Sequence, residues 1–200
     1  MTRPIGKRRL TEHTVLDAPL IQLCFTVHDL DAAVKSFTAM TGAGPWYRVA
    51  SLPESEDQTT LRGVRSPLGA DIALAYAGNT MYELAAPRGG STSVFSEWVA
   101  RFGVGLHHFG YAAEAFDQEL EDMMSAGKAP VMTSVTARGT RVAMFEGDGP
   151  SSALHELIEL TSASRLFYDT LRSAAKDWPD RSTLYTDLAR REVDAPVGID

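Results

Sequence analysis

Four polar side chains interrupt otherwise apolar, strand-like stretches. They are Gln22 in Leu20-Ile21-Gln22-Leu23-Cys24, Glu83 in Met81-Tyr82-Glu83-Leu84, His108 in Leu106-His107-His108-Phe109 and Glu156 in His155-Glu156-Leu157-Ile158. An ionised carboxylate in the middle of a buried strand costs a few kcal/mol unless water, a cation or a metal meets it. Two such carboxylates facing each other invite a dication. One amide, one imidazole and two carboxylates suit Zn²⁺, Mn²⁺, Co²⁺ or Ni²⁺ and form too hard a set for a soft thiolate site.

The elements that would carry these residues recur in one order. Leu20 to Val27 reads as a strand, His28-Asp29-Leu30-Asp31 as a turn and N-cap, and 31–41 as a helix stopped by Gly42. Strands are expected near 60–65, 70–77 and 80–85, the last two joined by Gly78-Asn79. The order then repeats: a strand over 106–112, a helix over 114–126, and strands near 130–135, 140–146 and 154–160. In this repeat Gln22 and His108 occupy equivalent first strands, and Glu83 and Glu156 equivalent last strands. The spacing is 61 residues in the first pair and 48 in the second, the excess matching a Pro-, Glu- and Ser-rich connection over 43–60. Alternation puts Leu20, Gln22, Cys24 and Thr26 on one face of their strand, and it sends only one of the adjacent His107 and His108 to the same side. Thr161 to Ser164 reads as a cap for a last helix through Trp178, with Leu166, Phe167 and Leu171 available for packing.

Composition bounds the function. A content of 44% hydrophobic and 22% charged residues is ordinary for a globular chain of 200 residues. A formal charge of −7 argues against a nucleic-acid surface, since the only basic cluster is Arg3, Lys7, Arg8 and Arg9 in a polar arm. No apolar run is long enough to span a membrane. The single cysteine, Cys24, fits a reducing compartment, reads as a small buried hydrophobe, and points to a cytoplasmic protein.

The stretches IQLCFTVHDLDAA (21–33), MYELAAP (81–87), GLHHFGYAAEAFDQEL (105–120) and HELIEL (155–160), with the doubled module, resemble the vicinal oxygen chelate superfamily of glyoxalases, bleomycin resistance proteins and dioxygenases, and its epimerase-like branch in particular. The resemblance implies an α+β fold in which two βαβββ modules, 19–100 and 101–161, form an eight-stranded U-shaped sheet; the residue pattern reads 1–18 as a flexible arm and 162–200 as a C-terminal helix and tail. It implies a divalent metal held by Gln22, Glu83, His108 and Glu156. His107, like His155, is then expected to point away as a structural histidine.

The implied activity is that of a lyase, isomerase or epimerase working on the carbon next to a carbonyl of a small molecule through a metal-stabilised enolate, with Glu156 or Glu83 as base. Gln22 stands where epimerases and dioxygenases usually carry His, although some glyoxalases use Gln there. One His among four ligands argues against dioxygenase chemistry. The alternatives are a non-catalytic resistance-type binding protein and a tailoring or catabolic enzyme with the same site. Trp46, Tyr47, Arg48, Arg62 and Arg65, in or beside the long connection, are candidate substrate contacts, and a homodimer is expected.

Overall fold

The computed structural model describes residues 18–49, 58–90, 92–147 and 153–186. The expected N-terminal arm and the end of the tail lie outside the described residues, apart from position 18 of the arm. Local signals account for the first helix. It follows β1 (Leu20–Thr26), and the Asp29 side chain accepts a hydrogen bond from the Ala32 amide at the start of α1 (Leu30–Thr41). At its end Gly42 adopts φ 74°, a left-handed conformation that costs glycine nothing. The first half continues with β2 (Tyr47–Val49), β3 (Thr60–Leu61), β4 (Val64–Arg65), β5 (Ala70–Ala77) and β6 (Thr80–Pro87). The second half is α2 (Val94–Phe102), β7 (Gly105–Ala113), α3 (Phe116–Ser125), β8 (Met132–Val135), β9 (Arg141–Phe145), β10 (Leu154–Glu159) and α4 (Ser162–Lys176).

Among the described residues ten strands form one sheet in the order β2-β5-β6-β1-β7-β10-β9-β8-β3-β4. Its first eight positions are two copies of one arrangement meeting at the antiparallel β1–β7 seam, each copy pairing its first and last strands in parallel. The duplicated module is therefore present, but the expected count of eight strands is exceeded. The segment at 60–65 is not the second strand of the first module; Tyr47–Val49 is. Residues 60–65 instead make a tight hairpin, β3–β4, whose turn residues Arg62 and Gly63 have φ 48° and 77°. That hairpin extends the far edge of the other module by pairing with β8.

The sheet curls strongly. Tyr47 on β2 and Arg138 in the β8–β9 turn lie near opposite ends of the strand order, yet the Arg138 guanidinium donates to the Tyr47 hydroxyl at 3.3 Å. On the convex side, α1 covers the first module through Leu30 and Val34 against Ala73, Ala75 and Leu84. There α3 covers the second module through Phe116 and Met123 against Ala143 and Leu157. On the concave side one apolar cluster joins Ile72, Leu74 and Met81 to Met132, Val142 and Met144, with Phe95 of α2 and Phe167 and Leu171 of α4 between them.

Helix α4 thus lies against the concave face. Its cap is Thr161, as expected, but Leu166 is 59% exposed, while Ser164, Phe167 and Leu171 face inward. Phe167 packs edge-on to Tyr47 at 5.3 Å and carries the Arg138 guanidinium over its other face at 3.9 Å. Among the described residues no helix is long and apolar enough to cross a membrane.

Removing residues 162–200 uncovers this cluster. Burial of Phe167 and Leu171 alone is worth roughly 1.5–3 kcal/mol each. The truncated chain is therefore expected to melt several degrees lower and to bind a hydrophobic dye; an unchanged melting temperature would contradict this assignment of α4.

Candidate functional site

The site is assembled where the two modules meet. Gln22 on β1 stands beside Gly110 on β7, and Gly110 in turn stands beside Glu156 on β10, so one glycine separates two polar residues across three adjacent strands. A Cβ at position 110 would come within 2.8 Å of the Gln22 Cβ and of the Ile158 Cδ1, tighter than side chains tolerate. Glycine is what lets these strands bring their side chains together. Glu83 reaches the same place from β6, opposite Cys24.

The four residues singled out in the sequence converge. Gln22 Nε2 donates to Glu83 Oε2 at 2.6 Å and lies 3.2 Å from His108 Nε2, which is itself 3.2 Å from Glu156 Oε2. Cys24 Sγ donates to the other Glu83 oxygen at 3.3 Å. All five residues are buried, with His108 and Cys24 at 0% exposure.

This burial sets the electrostatics. Desolvation pushes the Glu83 carboxyl up, an effect that His108 opposes and Glu156 reinforces. Burial works against charge on His108, but Glu156 and Glu83 outweigh it and hold the imidazole above its ordinary pKa. Burial and the neighbouring Glu83 push the Cys24 thiol well up, so the sulfur is a protonated donor.

With the Gln22 amide nitrogen toward His108, two contacts compete for one ring nitrogen. With His108 Nε2 protonated, its N–H serves Glu156 but faces the Gln22 amide nitrogen. With Nε2 bare, Gln22 can donate to it, but Glu156 faces a lone pair. A cation among the four groups would resolve the conflict once the Gln22 amide turns its oxygen inward. The donor set therefore fits a divalent metal.

His107 departs from expectation. It does not point away from the site; its Nδ1 lies 2.9 Å from the Nδ1 of His108. The reason is a β-bulge. Cys24 pairs with His108 but Phe25 pairs with Leu106, so β7 spends one extra residue there and alternation is suspended at His107. The His107 ring is fully buried, stacked on Phe95 at 4.7 Å and edge-on to Trp98 at 5.2 Å, both from α2. Burial and the proximity of His108 hold it well below the usual histidine pKa. Among the described residues the His, Cys, Asp and Glu ligand atoms that all lie within 4.8 Å of one another are those of Cys24, His107 and His108, a grouping that shares His108 with the set of Gln22, Glu83, His108 and Glu156.

Sequence reasoning passed over α2, although its signals are visible afterwards in the reciprocal Ser93–Ser96 capping box and in Val94, Phe95, Trp98 and Phe102 at helical spacing. His155 does face outward, stacked on Tyr111, whose hydroxyl is 3.2 Å from its Nδ1. Glu159 pairs with Arg141 at 2.7 Å.

The candidate substrate contacts do not form one gripping loop. Trp46 is buried in the convex core, its Nε1 donating to Thr38 Oγ1 at 2.8 Å and its backbone bonded to Leu184 and Thr186 of the tail. Arg48 faces the same side, in an ion pair with Asp31 at 2.5 Å and a hydrogen bond to Tyr185. Arg65 is exposed on the last strand of the sheet. Tyr47 alone of the five faces the α4 cluster. Arg62 pairs with Glu97 at 2.8 Å and lines a cavity of about 140 Å³ with Val94, Trp98, Arg101, Val131 and Leu154. This cavity borders the site, because Leu154 is the strand neighbour of His108 and Trp98 touches His107.

A doubled βαβββ module whose paired strands bring such residues to one seam defines a recognisable class. Residues 21–144 match the model of the glyoxalase/bleomycin resistance protein/dioxygenase superfamily, and the chain belongs to that superfamily. Solved structures share the fold. A methylmalonyl-CoA epimerase from Mycobacterium tuberculosis has 17% identity and a TM-score of 0.57, covering 78% of this chain and 98% of its own. A variant Streptomyces coelicolor methylmalonyl-CoA epimerase in complex with 2-nitronate-propionyl-CoA has 19% identity and a TM-score of 0.56, covering 72% and 99%. A hypothetical protein, BH1468 from Bacillus halodurans C-125, has 17% identity and a TM-score of 0.57, covering 73% and 96%. No curated protein matches the chain in sequence.

Gly110→Ala tests the seam. Forcing a methyl against Gln22 and Ile158 is expected to cost about 1–3 kcal/mol. Chemical denaturation of the two proteins measures the difference, and equal midpoints would show that the seam yields without strain.

Proposed function

We propose that this protein is a divalent-metal-dependent lyase, isomerase or epimerase acting on the carbon next to a carbonyl of a small molecule, with Gln22, Glu83, His108 and Glu156 as the metal ligands. The observation that supports the reading is the buried chain of contacts Glu83–Gln22–His108–Glu156, which gathers two carboxyls, an amide and an imidazole in one place. A metal bound there would supply electrostatic stabilisation of negative charge developing on a substrate carbonyl oxygen. The protein's own part is to take and return the proton.

The two carboxylates differ in their partners. Glu83 accepts a hydrogen bond from the Cys24 thiol, which does not depend on how the Gln22 amide is turned, whereas Glu156 meets His108 through one oxygen. Glu156 is therefore assigned as the base and Glu83 as the anchored ligand. The cavity beside α2, with Arg62 and Arg101 at its wall and Trp98 within it, is the proposed approach for substrate. A homodimer in the cytoplasm completes the proposal. The exposed edge strand β4, with Val64 71% exposed, supports self-association, and sedimentation measures it.

A second reading places the metal on Cys24, His107 and His108, which the 4.8 Å grouping favours. It requires a thiolate from a thiol that its surroundings keep protonated. Cys24→Ser distinguishes the two. Elemental analysis is expected to find the parent's metal content in this variant and a loss in His108→Ala; loss in Cys24→Ser would favour the Cys-His-His set.

Catalysis has its own test. With 2-methyl-branched acyl thioesters in deuterated water, the metal-loaded protein is expected to exchange the α-proton, and Glu156→Gln to slow the exchange by about 10²–10⁴-fold, the usual worth of a general base. Metal bound with no exchange in any of a panel of α-acidic carbonyl compounds would instead favour the binding-protein alternative.

A further inference from the structure

The contact between His107 and His108 does more than fill space. Two Nδ1 atoms at 2.9 Å cannot both carry protons or both be bare without penalty, so one donates and the other accepts. Under the metal reading above, on which this inference rests, His108 offers the lone pair of Nε2 to the metal. Its proton then sits on Nδ1, and His107 must be the acceptor, with its own proton on Nε2.

We infer that His107 is a positioning residue that fixes the tautomer and ring orientation of His108 for metal binding, and that α2 holds it in place. Three observations on two elements, β7 and α2, carry this. The β7 bulge spends a residue to turn His107 toward its neighbour, at the cost of regular pairing with β1. Phe95 and Trp98 then pack against the ring from two directions within the buried space. Finally, the helix that bears them is anchored by its own capping box, in which Ser93 and Ser96 each accept a hydrogen bond from the other's amide. Partners of this kind, bonded to the far nitrogen of a ligating imidazole, set its tautomer and raise its basicity.

Two substitutions separate positioning from packing. His107→Phe keeps an aromatic ring between Phe95 and Trp98 but removes the acceptor. His107→Asn loses the ring but places an amide oxygen near the former Nδ1. In calorimetric titration of the full chain with Zn²⁺, His107→Phe is expected to bind about 10- to 100-fold more weakly than the parent, and His107→Asn to recover most of that loss. In the Zn²⁺-loaded parent, ¹⁵N spectra of the histidine rings are expected to show His107 protonated on Nε2 and bare on Nδ1, a readout that does not depend on either variant folding. Unchanged Zn²⁺ affinity in folded His107→Phe, or a protonated His107 Nδ1 in the loaded parent, would overturn this inference alone. A parent that binds no Zn²⁺ would overturn the metal reading and this inference with it.

Discussion

Two carboxyl groups buried in one cluster repel each other when charged and lose their hydration, and the rest of this structure is arranged around that constraint. Glu83 and Glu156 arrive from the last strands of two modules, and neither would be tolerated in an apolar core alone. Gln22, Cys24 and His108 supply the hydrogen bonds and charge that make the cluster bearable. Gly110 supplies the space, since any side chain there would hold Gln22 and Ile158 apart. A fold that pairs its first and last strands in parallel within each half, then joins the halves through their first strands, is a direct way to bring four such residues to one seam.

The seam is not symmetrical, and the asymmetry is informative. The first module presents a thiol beside its glutamate; the second presents a pair of histidines held by a bulge. Helix α2 belongs to neither repeated unit, lying between β6 and β7, and its aromatic face closes over His107. The connection between two duplicated units is thus also the element that differentiates them chemically.

A second departure from simple duplication is α4 on the concave face. The solved neighbours are matched over 96–99% of their own length by 72–78% of this chain, leaving about a quarter of it outside the likeness. Phe167 and Leu171 complete the apolar lining, and Arg138, stacked on Phe167 and bonded to Tyr47, ties the two ends of the curled sheet together. On the α2 side lies a small cavity bordered by both arginine and glutamate.

Much of this could be read from residue order alone, because the relevant information is local or repeated. The polar interruptions at Gln22, Glu83, His108 and Glu156, the caps at Asp29 and Thr161, the stop at Gly42 and the twofold β-α-β-β-β order depend on neighbours within a few positions, or on comparing one half with the other. Other features are properties of pairs of distant segments. Tyr47–Val49 is too short to register as a strand until β5 lies beside it, and the hairpin at 60–65 belongs to the edge of β8, which no local pattern reveals. The direction of His107 was beyond reach for the same reason. Alternation predicts a side chain's face only while a strand keeps register with its partner, and the register slip between β1 and β7 exists only when both strands are in place. The sequence by itself determined the repeat and the residues placed at its equivalent positions; the tertiary structure decided which way the second histidine turns and what fills the concave face, because both are settled by contacts between segments far apart in the chain.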